Sequence, residues 1–243
     1  MRYMGGKYNI APKIVPIILK DRKPGQWFVE PFVGLANVMW LVDGNRIGAD
    51  ANPYIIAFLK AIRDNPNKHP PRLTEEQYKE IKNNPEKFPK ALVGWAGAPC
   101  SFSGKWFNSL IGAKWYPSVN RVVDYIQENW NQIDRQGPKL KGALFFHSSY
   151  DELDIPENSI IYCDPPYEGT NQTYHEMKTG DFDSQKFFKW CEKQVKNGHT
   201  VYVSEQNGPS HWEMVWQKDV KRTMGIAKNG FATTEKLFKV RLK

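Results

Sequence analysis

The sequence predicts an α/β protein built on a doubly wound, mostly parallel mixed sheet, interrupted by an inserted, mainly helical domain. Three observations carry this. Short apolar runs alternate with helical stretches near the start of the chain, in WFVEPFV (27–33) and RIGAD (46–50), and resume in ALFFHSSY (143–150), SIIYC (159–163) and TVYVS (200–204). Between them, from about residue 65 to about 140, the texture changes to DNPNKHPPRLTEEQYKEIKNNPEKFPK and beyond, where proline, asparagine and lysine accumulate and apolar periodicity weakens. The carboxyl end, with a basic run around DVKRTM and then EKLFKVRL, reads as an antiparallel hairpin joined by a polar loop containing Asn229-Gly230.

Element by element, residues 27–33 read as a buried strand closing at Gly34, followed by an apolar helix in LANVMWLV (35–42). RIGAD is the next strand and ends on Asp50. Pro53 then opens the helix PYIIAFLKAI, at a position where the missing amide hydrogen costs nothing because first-turn donors have no helical partner. This strand–helix–strand–helix order begins a parallel sheet. The inserted domain is placed at 64–143, with the sheet on either side at 1–63 and 144–243. After SIIYC a helix is expected from about Ser184 to Asn197, capped by Asp183 or Ser184 and stopped by Gly198.

Basic residues outnumber acidic ones by 34 to 26 in a chain of 243, a net charge of +8, which favours an anionic partner. Nine tryptophans and an aromatic share of 14% add stacking surface that unpaired bases can use, although most such rings serve cores. Within the insertion, Lys105, Lys114 and Arg121 are interleaved with Trp106, Phe107, Trp115 and Tyr116. Three cysteines without Cys-x-x-Cys spacing indicate neither a disulfide framework nor a zinc site, and five histidines show no ligand spacing, so no metal is expected. Charged residues interrupt the amino terminus where a signal peptide needs an apolar stretch, and no segment reaches transmembrane length, so a cytoplasmic protein is expected.

Two places carry chemistry. Gly34, leaving the first strand, lets a ligand approach the backbone, and Asp50, ending the second, stands where a nucleotide-binding sheet puts the carboxylate that accepts ribose hydroxyls; helix capping is the alternative role for Asp50. In YCDPPY (162–167), Pro165 forces Asp164 out of the helical region and Pro166 fixes the next φ, while neither proline offers an N–H. A carboxylate and a bare carbonyl held this way can accept both hydrogens of an exocyclic amine while the Tyr167 ring faces the base. Drawn out of conjugation, that amine becomes a nucleophile for an activated methyl group.

YMGGKY (3–8), FVEPFVG (28–34), GADAN (48–52) and CDPPY (163–167), in that order, resemble the DNA adenine methylase (Dam-type) family of S-adenosylmethionine-dependent enzymes. TYHEM (173–177), TVYVSEQNG (200–208) and TEKLFKV (234–240) extend the match, which is loose in the insertion around CSFSGKWF. The resemblance implies a class I, Rossmann-like methyltransferase fold and methyl transfer to the N6 amine of an adenine flipped from double-stranded DNA. It implies a catalytic segment Asp164, Pro165, Pro166 and Tyr167. It implies a cofactor pocket of Tyr3, Lys7, Phe32, Gly34, Asp50, Tyr150 and Asp164, and places target recognition in the insertion, with Lys105, Trp106, Lys114 and Arg121 as DNA contacts and Tyr174 steadying the extruded nucleotide. For Lys7 the alternative is a solvated amino-terminal lysine, and for Tyr174 an exposed loop tyrosine. Ala36 stands where the family usually has a second glycine. Ala98-Pro99-Cys100 resembles the nucleophile of cytosine-C5 methylases, but Cys100 lies away from the cofactor strands and is read as a structural thiol. The same chemistry on RNA and a catalytically silent nucleic-acid-binding protein stay open as alternatives; the target sequence and oligomeric state are not set by these residues.

Overall fold

The computed structural model describes residues 1, 5–116, 120–166, 182–222 and 231–243. Its strands are β1 (Phe28–Glu30), β2 (Arg46–Asp50), β3 (Ala113–Tyr116), β4 (Arg121–Asp124), β5 (Leu144–His147), β6 (Ile160–Cys163), β7 (Thr200–Ser204), β8 (Glu213–Arg222) and β9 (Phe231–Lys239). The helices are α1 (Ala11–Ile18), α2 (Pro53–Asp64), α3 (Glu75–Asn83), α4 (Lys90–Gly97), α5 (Tyr125–Gln136) and α6 (Ser184–Lys196). A seven-stranded sheet runs β5-β2-β1-β6-β7-β9-β8, and β3 pairs with β4 in a separate antiparallel hairpin. β1, β2, β5, β6 and β7 are parallel, whereas β9 is antiparallel to both β7 and β8. This is the expected doubly wound, mostly parallel mixed sheet.

Strand alternation sorts the central side chains into two layers. Phe28, Ile160, Tyr162 and Tyr202 face one cluster with Ile14 and Ile18 of α1 and Ile55, Phe58 and Leu59 of α2. Val29, Ile161, Cys163, Val201 and Val203 face the other, where Phe187, Phe188 and Cys191 of α6 cover them. α3 and α4 join the first layer: Tyr78, Ile81, Val93 and Trp95 belong to the same cluster as α2. Trp95 packs its ring 5.9 Å from that of Phe58. At Gly94 a Cβ would meet the Tyr54 carbonyl oxygen at 2.2 Å, so the absence of a side chain is what lets α4 lie on α2.

Several expectations are met closely. α2 starts at Pro53, α6 is capped by the Asp183 side chain, which accepts from Lys186 N–H, and Gly198 stops it at φ +91. Others are corrected. The first strand ends at Glu30, three residues early, because Pro31 has no N–H to donate to a neighbouring strand. The helix expected at 35–42 is a run of turns with one 3₁₀ turn, Met39–Leu41. Gly34 (φ +46) and Ala36 (φ +54) are both left-handed, a conformation that an α-helix cannot contain. Conversely, α1 was not among the expected elements. Pro12 lies in its first turn, where no helical donor is needed, and Pro16 is accommodated within a helix of only 8 residues.

Gly94→Ala is expected to lower stability by about 1–3 kcal/mol through overpacking. The urea unfolding midpoint measures this, and an unchanged midpoint would show that the two helices separate without cost.

Candidate active site

The sheet reverses its winding at β1. From there the chain proceeds outward through β2 and β5, then returns to β6 on the other side of β1 and goes on to β7. In open α/β sheets the crevice at the carboxyl ends of strands at such a reversal is where ligands bind. Here Glu30, Phe32 and Gly34 leave β1, Asp164, Pro165 and Pro166 leave β6, and Asp50 closes neighbouring β2.

The Asp50 carboxylate organises the turn beside it. One oxygen accepts from the Gly34 amide at 3.0 Å and the other from the Asn52 amide at 2.9 Å. The helix cap anticipated at Asp50 is supplied instead by Asn52, whose Oδ1 accepts from Tyr54 N and Ile55 N. Burial raises the Asp50 carboxyl above its ordinary value, opposed by those two amide donors. Each carboxylate oxygen keeps a lone pair for a further donor, as ribose hydroxyls require. Ala36 holds its left-handed φ in the same turn, a conformation costing a non-glycine residue roughly 1–2 kcal/mol.

Asp164 lies in an ionic cluster. Lys7 Nζ is 2.7 Å from Asp164 Oδ1 and 3.8 Å from Glu235 Oε2, and it donates to the Gly5 carbonyl at 2.9 Å. Lys7 is 4% exposed and Asp164 16%. Lys7 is therefore no solvated lysine, and its described ionic partners are carboxylates of the β6 and β9 segments. Glu30 is buried nearby, and Tyr162, whose hydroxyl pairs with Ser204 Oγ at 2.8 Å, is pushed well above its usual value by burial and then by the Asp164 charge.

Phe32 stacks on Tyr150 with centroids 5.4 Å apart, and both rings meet Phe187 edge-on at 5.5 Å, so the structure brings these two candidate cofactor residues together. Tyr3, Tyr167 and Tyr174 lie outside the described residues, as do TYHEM and the Asn229-Gly230 loop. In the insertion, Lys114 and Arg121 project from the exposed β3–β4 hairpin, on which Trp115 (51% exposed) pairs across the strands with Val122 (59%). Lys105 is half-buried. Trp106 packs against Tyr54 at 6.1 Å, against Phe107 at 5.2 Å and over Gly97, so much of its ring surface is taken up by the fold. Cys100 is buried, which pushes its thiol well above the usual range. Sequence reasoning missed Glu30 and Glu235. Glu30 stood in the quoted FVEPFVG, where a charged residue inside an apolar strand was the available signal. Among the described residues no group of three or more His, Cys, Asp or Glu is arranged to hold a metal ion, and no helix is long and apolar enough to cross a membrane.

A doubly wound sheet with an acid ending β2 and an Asp-Pro-Pro segment leaving β6, beside the winding reversal, defines a Rossmann-like methyltransferase fold. The chain belongs to the D12 class N6 adenine-specific DNA methyltransferase family, whose model matches residues 3–224. It is 24% identical over 239 residues to the type II methyltransferase M.FokI of Planomicrobium okeanokoites, covering 87% of this chain and 36% of that protein. It is 26% identical over 197 residues to a DNA adenine methylase of Vibrio cholerae serotype O1, covering 71% and 66%. To the retron Ec67 DNA adenine methylase of Escherichia coli it is 26% identical over 225 residues, covering 85% and 76%. The chain thus spans about a third of the length of M.FokI and just under two thirds of the Vibrio protein. A solved tRNA (m1A58) methyltransferase from Aquifex aeolicus overlaps it with TM-score 0.35 at 13% identity, covering 96% of this chain and 69% of that one; the strand order, not this overlap, defines the fold.

Burial, and then the Asp164 charge, raises the Glu30 carboxyl well above the ordinary range, against one hydrogen bond from the Met39 amide, and among the described residues its Oε2 has no hydrogen-bond partner. The folded chain therefore retains a proton that the unfolded chain releases above about pH 4.3. The stability that Glu30 contributes is whole below that pH and is lost as pH rises through the folded-state value. Glu30→Gln keeps the shape of the protonated acid without titrating. It is expected to gain stability relative to the native chain between about pH 5 and about pH 8, measured by urea unfolding at both; a constant difference would contradict the raised value.

Proposed function

We propose that the protein transfers a methyl group from S-adenosylmethionine to the exocyclic N6 amine of an adenine extruded from duplex DNA. The observation that carries this is Asp164-Pro165-Pro166 at the carboxyl end of β6, facing the same crevice as the Gly34 turn and Asp50. The residues present suit the cofactor. Asp50, held by two amides with acceptor capacity to spare, would take the ribose hydroxyls, and Phe32, Gly34 and Tyr150 would line the rest of the adenosyl and methionine pocket, with Tyr3 in the same role by family likeness. When bound, S-adenosylmethionine supplies a methyl whose bond to the sulfonium breaks with its electron pair going to sulfur as the amine lone pair forms the new N–C bond.

The chain's own part is to bind and aim the amine. The Asp164 carboxylate and a bare proline carbonyl accept its two hydrogens and draw its lone pair out of the ring. The nitrogen becomes a strong acid once methylated, so even a weakly basic carboxylate such as Asp164 takes the surplus proton. Extruding the base costs a few kcal/mol, on the order of what stacking on an aromatic such as Tyr167 returns, roughly 1–3 kcal/mol. Residues 64–143 form the target-recognition unit, in which Lys114 and Arg121 on the β3–β4 hairpin, with Lys105 and the rim of Trp106, grip the backbone and make binding fall with salt. Tyr174 is assigned to the extruded nucleotide.

Asp164→Asn keeps the side-chain shape and removes the charge. It is expected to lower kcat for transfer of labelled methyl to duplex DNA by about 10²–10³-fold while the protein stays folded. Wild-type turnover in that variant, or labelling of RNA in preference to duplex DNA in competition, would overturn the reading.

A further inference from the structure

We propose that Glu30 is the counter-ion for the α-ammonium group of S-adenosylmethionine, and that its carboxyl group gives up a proton to solvent when the cofactor is seated. This rests on the reading of the crevice as the cofactor site. Three acids stand at the carboxyl ends of adjacent strands: Glu30 closes β1, Asp50 closes β2 and Asp164 leaves β6. Two of them have described donors suited to a charge. Asp50 receives two amide bonds, and Asp164 has the Lys7 ammonium 2.7 Å away. Glu30 is 3% exposed and receives one bond, from the Met39 amide, while its Oε2 has no partner among the described residues. A buried polar atom without a partner costs stability, and a folded chain keeps few of them.

The position of Glu30 points to the methionine half of the cofactor. Its bond from Met39 spans the loop that carries Phe32 and Gly34, the residues assigned above to that pocket. This half of the cofactor carries two positive groups. A sulfonium has no hydrogen to donate, whereas an ammonium has three, so an oxygen with unfilled lone pairs suits the ammonium. Without a cation beside it, Glu30 is held toward its neutral form by burial and by the charges of Asp164 and Asp50. An ammonium at the same place favours the ionised form. The O–H bond breaks, its electron pair stays on the carboxylate and the proton goes to solvent. Cofactor affinity therefore rises with pH by up to about tenfold per pH unit while Glu30 is protonated in the unliganded chain, and levels off above its folded-state value.

The test is calorimetry on the full chain, titrated with S-adenosylmethionine and with S-adenosylhomocysteine, two ligands that share the ammonium and differ in the sulfonium charge. Each titration is run in two buffers of different ionisation enthalpy, from about pH 5.5 to about pH 7, where an α-amino group of ordinary pKa is charged, so that the protons released on binding are counted. The expected result is a release approaching about one proton per ligand at the acid end, the same for both ligands, with affinity rising as pH rises. Glu30→Gln should release none, show an affinity that is flat across this range, and bind about tenfold more weakly than the native chain at about pH 7. Asp50 on β2, Tyr162 and Asp164 on the β6 segment, and Lys7 beside Asp164 remain in the variant, so the difference reports Glu30.

Binding to the native chain with no proton release would overturn the proposal, and this arm holds whether or not the variant folds. So would a release that persists in Glu30→Gln, or one seen with S-adenosylmethionine and not with S-adenosylhomocysteine, which marks the sulfonium as the partner. If neither ligand binds the native chain, the cofactor reading of the crevice itself fails. If both bind without releasing a proton, the role of Glu30 alone fails.

Discussion

Two adjacent strands, β1 and β6, carry the chain away from each other in opposite directions across the sheet, and this single reversal of winding decides where chemistry can happen. Crossover segments cover a parallel sheet's faces, but at the reversal they depart to opposite sides and leave the strand ends open between them. Everything that leaves a strand there enters the same crevice: the Pro31–Gly34 turn from β1 and Asp164-Pro165-Pro166 from β6. The neighbouring β2 contributes Asp50, which reaches across to the Gly34 amide and so ties the end of one strand to the turn of the next. Gly34 and Ala36 both hold left-handed backbone in this turn.

The crevice is densely charged for a place so nearly dry. Buried ions are tolerated when paired, and losing one partner of a buried pair typically costs about 3–5 kcal/mol because the other is stranded. Lys7 serves two acids, Asp164 and Glu235. A third ionised acid beside them would be repelled, and burial shifts Glu30 toward its protonated, neutral form. Among the described residues, a lysine beside two acids and a third acid biased to neutrality is an arrangement in which a carboxylate keeps its charge out of water. An amine acceptor at this position needs that property. The lysine's anchoring through Ile10 and Ala11 gives α1 a purpose beyond covering the sheet.

Much of this fold was legible in the residues because local chemistry agreed with the tertiary outcome. RIGAD, SIIYC and TVYVS are apolar runs bounded by turn formers and became β2, β6 and β7. Pro53 and Asp183 mark helix starts, and the structure shows α2 beginning at Pro53 and α6 capped by Asp183. Where local and tertiary demands conflicted, the reading failed. LANVMWLV has a helical composition, but the Asp50–Gly34 bond dictates its first turn. α1 went unread; its Pro12 lies in a first turn and its Pro16 is absorbed in a short helix packed on the core. At the site, Asp164 and Asp50 could be picked out by position at strand ends. The pairing of Lys7 with Asp164 could not, since no periodicity links an amino-terminal lysine to an acid far along the chain, and Glu235 looked like one more charge in a hairpin.

The central claim is that the carboxylate after β6 receives the target amine. A crystal structure of the full chain with a non-reactive cofactor analogue and duplex DNA measures this directly. The account predicts an extruded adenine with N6 about 2.7–3.2 Å from an Asp164 carboxylate oxygen and from a proline carbonyl of the same segment. An adenine seated elsewhere, or an Asp164 side chain turned toward the packed interior, would contradict it.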